Sequence, residues 1–163
     1  MPATFRVHVT KDHLTFCSGH FITYEGSQCE RLHGHNYRVA VEVDGPLDDN
    51  YYVFDFIALK KITMGISDEL DHRMMLPLHN PFIHVETHGD QVEVRFKKKK
   101  HWSFPKEDCV LLPIENTTAE LLARYIAGRL KDTLQREHQF TPTRLAVEVE
   151  ESDGQSAVYA ETM

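Results

Sequence analysis

The stretch CERLHGHNYRVAVEVDG, residues 29–45, carries two messages at once. From His35 onward, His35, Tyr37, Val39, Val41 and Val43 recur at every second position, the period of a strand with one face against a core. The same period places His33 and His35 on one face, and Gly34 adds no bulk between them. Two imidazoles presented toward one point suit a metal ion. Turn residues in VDGPLDDN, residues 43–50, close the strand.

Upstream, TFRVHVTKDHLTFCSGHFI (4–22) alternates Phe5, Val7 and Val9, then Leu14, Phe16 and Ser18, and reads as another strand. The loop around YEGSQCER (24–31) can join the two as an antiparallel pair, which brings His20 beside His33 and His35. Three histidines with a fourth position open to water or substrate is the pattern of a catalytic zinc site. Thiolate also binds zinc well, so a closed structural site of two cysteines and two histidines, drawing on Cys17 and Cys29, is the alternative. It would leave no open coordination position.

Downstream, VFDFIALKKITMGISDELDH (53–72) places Phe56, Leu59, Ile62 and Ile66 at near-helical spacing behind Asp55, a capping residue. ENTTAELLARYIAGRLKDTLQREH (115–138) sets Leu121, Leu122, Tyr125, Ile126, Leu130 and Leu134 on one stripe. Thr117, with Glu120 three residues on, forms a capping-box pattern for that helix. TRLAVEVEESDGQSAVYAE (143–161) gives two strands around an SDGQ turn. Between the helices, FIHVETHGDQVEVRF (82–96) alternates about THGD and predicts an inserted β-hairpin followed by a basic loop containing KKKK. The order is ββ, helix, hairpin, helix, ββ. A single α+β domain over residues 1–163 is expected, with the insertion at approximately residues 78–112.

The composition is that of a folded globular chain, with 41% hydrophobic and 26% charged residues. A formal net charge of −7 disfavours a general nucleic-acid binder. With no apolar run long enough for a membrane span and no leader-like segment at the first residues, the cytoplasm is the expected location. Three cysteines are too few and too scattered for a disulfide framework.

Taken in order, SGH (18–20), CERLHGHNY (29–37), DFIALK (55–60), ELDH (69–72), ENTTAE (115–120) and VEVEES (147–152) resemble the 6-pyruvoyltetrahydropterin synthase superfamily. The C-x3-HGH spacing is closest to its bacterial 6-carboxytetrahydropterin synthase branch, which serves queuosine and deazapurine pathways. The resemblance implies a T-fold, a four-stranded antiparallel sheet with two helices on one face. It also implies assembly as trimers or hexamers with active sites between subunits. Zinc would be held by His20, His33 and His35, and the substrate would be 7,8-dihydroneopterin triphosphate.

By the same resemblance Cys29 is the general base, and Asp71 with His72 forms a second acid–base element. Glu151 is the expected anchor for the amidine-like edge of the pterin, which a carboxylate can accept in bidentate fashion. Thr117, Thr118 and Glu120 lie where they could assist binding or only cap the helix. Arg31, Lys97 to Lys100 and Lys106 are cation candidates for the triphosphate, and a run of lysines also fits a solvated loop. The insertion, and the missing asparagine after the DH pair in DHRMMLP, depart from the family pattern. They leave 6-carboxytetrahydropterin, 6-pyruvoyltetrahydropterin and a non-catalytic zinc-stabilised T-fold as the readings.

Overall fold

The computed structural model describes residues 3–163. Its first half runs β1 (Phe5–His20), β2 (Thr23–Tyr24), β3 (Gln28–Cys29), β4 (His33–Gly45), α1 (Phe56–Leu70) and β5 (Arg73–Pro77). Its second half runs β6 (Ile83–His88), β7 (Gln91–Phe96), β8 (Lys100–Pro105), β9 (Cys109–Leu112), α2 (Ala119–His138), β10 (Arg144–Ser152) and β11 (Gln155–Thr162).

The main sheet has the order β11-β10-β4-β1-β5-β9. Its first four strands are the expected antiparallel set, and β5 and β9 extend it to six by joining in parallel. The addition is local: His72 N–H donates to the Cys17 carbonyl, and β5 starts beside β1 from that bond. Alternation holds where one face is covered. Val7, Val9, Leu14, Phe16, Tyr37, Val39, Val41, Val43, Leu145, Val147 and Val149 are buried in one cluster with residues of both helices. Each full burial of such a side chain stabilises by about 1.5–3 kcal/mol. Phe5, at the strand's open end, is exposed instead.

Asp55 caps α1, its side chain accepting from Ala58 N–H at 2.7 Å. Phe56, expected on the buried stripe, is exposed because it sits in the first turn, ahead of where the helix meets the sheet. The buried face is instead Leu59, Thr63, Ile66, Ser67 and Leu70, and the Thr63 and Ser67 hydroxyls donate to carbonyls one turn back. In α2 the cap is Thr118, accepting from Leu121 N–H at 3.4 Å, rather than Thr117. Thr117 is fully buried and its hydroxyl donates to the Phe21 carbonyl at 3.3 Å. A buried tertiary contact takes the residue that local pattern would use as a cap.

The expected hairpin is present as β6 and β7, but the basic loop after it is only the turn at Lys97–Lys99, and a further strand follows. Lys100–Pro105 pairs with β7, making a separate three-stranded sheet. Its apolar face, with Ile83, Val92, Val94 and Phe96, closes on Phe21, Met74 and Leu76 in a second core. The KHWSFP strand lacks consecutive β-branched residues, and the lysine run before it masks its alternation of intermediate and exposed positions. Among the described residues no helix is long and apolar enough to cross a membrane.

Candidate metal centre

The centre begins with strand register. β1 and β4 pair so that His20 opposes His33, Gly19 opposes Gly34 and Ser18 opposes His35. A Cβ on Gly34 would stand 3.0 Å from the Ser18 carbonyl oxygen, so the glycine between the histidines is demanded by the neighbouring backbone. The connection between the strands folds back as the small β2–β3 hairpin. Its three-residue turn places Glu25 and Gly26 at positive φ and is closed by Ser27 N–H donating to the Tyr24 carbonyl at 3.3 Å.

His20, His33 and His35 converge, with one nitrogen of each within 4.8 Å of the others. Their tautomers are set from behind. His20 Nδ1–H donates to the Thr117 carbonyl at 2.9 Å and His33 Nδ1–H donates to the Arg31 carbonyl at 2.8 Å. Both Nε2 lone pairs therefore face inward, 3.2 Å apart. Ligands at 2.0–2.1 Å around a tetrahedral ion lie roughly 3.3 Å from one another, so this separation fits a metal. His35 Nε2 is buried with no hydrogen-bond partner and lies 3.4 Å from Glu151 Oε1. Two lone pairs face to face, beside a third imidazole nitrogen buried without a hydrogen-bond partner, form a donor set that calls for a cation. Burial outweighs the opposing effect of the Thr117 bond and pushes His20 below its ordinary value, which favours the neutral imidazole that a ligand must be.

Cysteine is not part of this group. Cys17 is exposed, on the face of β1 opposite Ser18 and His20, so the closed two-cysteine arrangement is ruled out by strand parity. Cys29 is half-buried, and burial pushes its thiol up while the Lys100 ammonium pulls it down. Its Sγ lies 3.5 Å from the Glu30 carbonyl.

Glu30 is a site residue that the sequence motifs do not single out. Its carboxylate accepts from Ile22 N–H at 3.1 Å and stands 3.9 Å from His33 Nε2, at the rim of the histidine cluster. The one signal for it is its place three residues before His33, and the more reactive thiol beside it obscures that signal.

Glu151, Thr118 and Glu120 line one depression together with Ile22 and Ala157, next to the histidines through the Glu151–His35 contact. Thr117 contributes its carbonyl to His20, so its part is to orient a ligand. Arg31 acts on His33 in the same way through its backbone, and its residue surface is exposed. Asp71 and His72 do meet each other: His72 Nδ1 lies 2.7 Å from Asp71 Oδ2, and Asp71 Oδ1 accepts from Cys17 N–H at 2.7 Å. The Cys17 N–H, aided by His72, holds the Asp71 carboxyl below its ordinary value. His72 is exposed and shares a groove with His33, Leu32 and Arg73, whereas Asp71 is half-buried behind it and neither Asp71 nor Cys29 lines that groove.

Comparison with known proteins bears on what this arrangement does. The family described as 6-pyruvoyl tetrahydropterin synthase matches residues 8–162. A Methanocaldococcus jannaschii protein provisionally named 6-carboxy-5,6,7,8-tetrahydropterin synthase is 36% identical over 147 residues, 90% of this chain and 89% of that one. An Aquifex aeolicus protein named 6-carboxy-5,6,7,8-tetrahydropterin synthase is 30% identical over 130 residues, 78% and 73% of the two chains. Among solved structures, a Plasmodium vivax 6-pyruvoyltetrahydropterin synthase superposes with a TM-score of 0.91 at 28% identity, covering 99% of this chain and all of the other. That form carries a substitution of a glutamate described as a catalytic residue.

Proposed function

The chain belongs to the 6-pyruvoyl tetrahydropterin synthase family, and from that premise we propose that it is a zinc-dependent lyase acting on 7,8-dihydroneopterin triphosphate. The product proposed is 6-carboxy-5,6,7,8-tetrahydropterin, with acetaldehyde and triphosphate released. The supporting observation is the convergence of His20, His33 and His35 with Glu151 at 3.4 Å from one of them. The names of the Methanocaldococcus and Aquifex relatives support the choice of product.

When bound, zinc would supply Lewis-acid polarisation of side-chain hydroxyls on the substrate. The three histidines would hold it through Nε2, with Thr117 and Arg31 carbonyls fixing the tautomers of His20 and His33. Glu151 would accept the donor edge of the pterin, with Thr118 and Glu120 at the wall of the same depression. Cys29 would take a proton from a substrate carbon or hydroxyl; burial holds its thiol above the ordinary value, and the Lys100 charge beside it offsets part of that. Asp71 orients His72 as an acid–base pair, and its exposure suits completion of the site in a neighbouring copy within a homo-oligomer. The location proposed is the cytoplasm.

A second candidate base is Glu30. Its carboxylate stands 3.9 Å from His33 Nε2, whereas the Cys29 thiol contacts only the Glu30 carbonyl, and a glutamate serves as catalytic residue in the Plasmodium vivax relative. The test is incubation of zinc-loaded protein with 7,8-dihydroneopterin triphosphate and mass analysis of the pterin. Formation of 6-carboxytetrahydropterin with acetaldehyde supports the reading, 6-pyruvoyltetrahydropterin replaces the product, and no turnover removes the lyase reading in favour of a non-catalytic assembly role.

A further inference from the structure

The lysine run divides. Lys98 and Lys99 occupy the turn between β7 and β8, whereas Lys97 and Lys100, at its ends, reach back across the molecule. Lys100 Nζ donates to two successive carbonyls, Cys29 at 3.0 Å and Glu30 at 2.8 Å. Lys97 Nζ donates to the Ser27 carbonyl at 3.3 Å. These three side-chain bonds fall on one segment, the one carrying both candidate bases.

Besides these bonds the segment is held by a short ladder and by Glu30, whose N–H donates to the Ile22 carbonyl at 3.0 Å and whose carboxylate accepts from Ile22 N–H at 3.1 Å. β2 and β3 are two residues each, and between Cys29 and the start of β4 the backbone is irregular. Carbonyls of such a segment must find donors or water. A single ammonium that takes two consecutive carbonyls restrains the two peptide planes that flank the Glu30 Cα, and with them the directions in which the Cys29 and Glu30 side chains leave the chain. The lysine is itself anchored. It begins β8 opposite Phe96, and its Nζ lies 5.8 Å over the Trp102 ring. Trp102 stacks on Phe21 with centroids 4.4 Å apart and planes 20° from parallel. Phe21 follows the metal-ligand candidate His20 directly, so the inserted sheet grips the centre at two points, behind His20 and under Cys29.

We propose that Lys100 is a positioning residue for the candidate bases Cys29 and Glu30, and that the inserted three-stranded sheet exists in this chain to deliver it. The catalytic part of this inference rests on the lyase reading above. The positioning part does not, because it concerns the Ser27–Leu32 segment whatever the substrate. Its charge acts in the same sense, being the cation set against the burial that pushes the Cys29 thiol up.

The test uses zinc-loaded full-length protein as wild type, Lys100→Met, Lys100→Arg, and Lys61→Met, an exposed lysine of α1, as a control. Two readouts are taken: amide hydrogen exchange of the peptide spanning residues 27–32, and steady-state turnover of 7,8-dihydroneopterin triphosphate. Lys100→Met is expected to speed exchange in that peptide by about tenfold while peptides of β1 and β10 are unchanged. It is expected to lower kcat about tenfold or more with KM and zinc content within about twofold, since only the alignment of the base is lost. Lys100→Arg, which keeps a cationic donor, should recover most of kcat, and the control should match wild type. Unchanged exchange in Lys100→Met overturns the proposal. So does a rise in KM at constant kcat, which would assign Lys100 to the substrate phosphates. Should the wild type itself give no turnover, the lyase reading fails by that result, and the exchange measurement alone decides the positioning role.

Discussion

His20 and His33 face each other across paired strands with their Nε2 atoms 3.2 Å apart, each held by a carbonyl at its other ring nitrogen. Neither can turn its proton inward without losing that carbonyl, so the pair is built to share a cation. His33→Ala should therefore reduce bound zinc by an order of magnitude or more while leaving the fold intact, since His33 is only half-buried. Metal analysis with far-UV circular dichroism on one sample checks it. Loss of the fold along with the metal would favour a structural zinc role.

Gly34 sets how closely the two strands approach at the centre. Gly34→Ala places a methyl 3.0 Å from the Ser18 carbonyl oxygen, so the paired backbone of β1 must give by a few tenths of an ångström. The expected cost is about 1–3 kcal/mol in unfolding free energy, together with weaker zinc binding as His33 and His35 move from His20. Urea unfolding and zinc titration of the variant test both parts.

Acid stability should depend on Asp44. The Arg6 guanidinium, donating at 2.7 and 2.9 Å, holds the Asp44 carboxyl below its ordinary value of 3.8. A carboxylate depressed in the folded state contributes stability that is present above pH 3.8 and disappears as pH falls through the folded-state value. Asp44→Asn should lower stability at pH 7 by about 1 kcal/mol, a figure discounted because Arg6 is half exposed. The gap between variant and wild type should close in acid, as thermal unfolding across pH will show.

The two candidate bases can be separated. Cys29→Ala should lower turnover by about a hundredfold or more with zinc retained, if the thiol takes the proton. Glu30→Gln should then leave most activity, since the glutamine carbonyl can still accept from Ile22 N–H and only the charge is lost. The reverse order of damage would make the carboxylate the base. Product analysis of both variants decides between them.

Much of the fold and of the metal centre is legible in the amino-acid sequence, because strand period is a strong signal. His33 and His35 fall on one face by counting, and His20 joins them once two alternating segments are paired. Local pattern misleads where distant contacts override it. Thr117 has the pattern of a helix cap and is instead buried between Phe21 and His20, while Thr118 does the capping. Lys100 reads as solvated surface, since a sequence does not display that its ammonium will meet the carbonyls of Cys29 and Glu30, at separations of 71 and 70 residues. The two parallel strands added to the sheet are hidden for a similar reason. β5 and β9 are short and are recruited through tertiary pairing that no turn signal announces.

The most direct test of the central claim is one turnover assay on zinc-quantified protein. With about one zinc per chain, 7,8-dihydroneopterin triphosphate should be converted to 6-carboxytetrahydropterin with acetaldehyde released, and His33→Ala should abolish both metal and product together. Full turnover by His33→Ala protein free of metal would contradict the account.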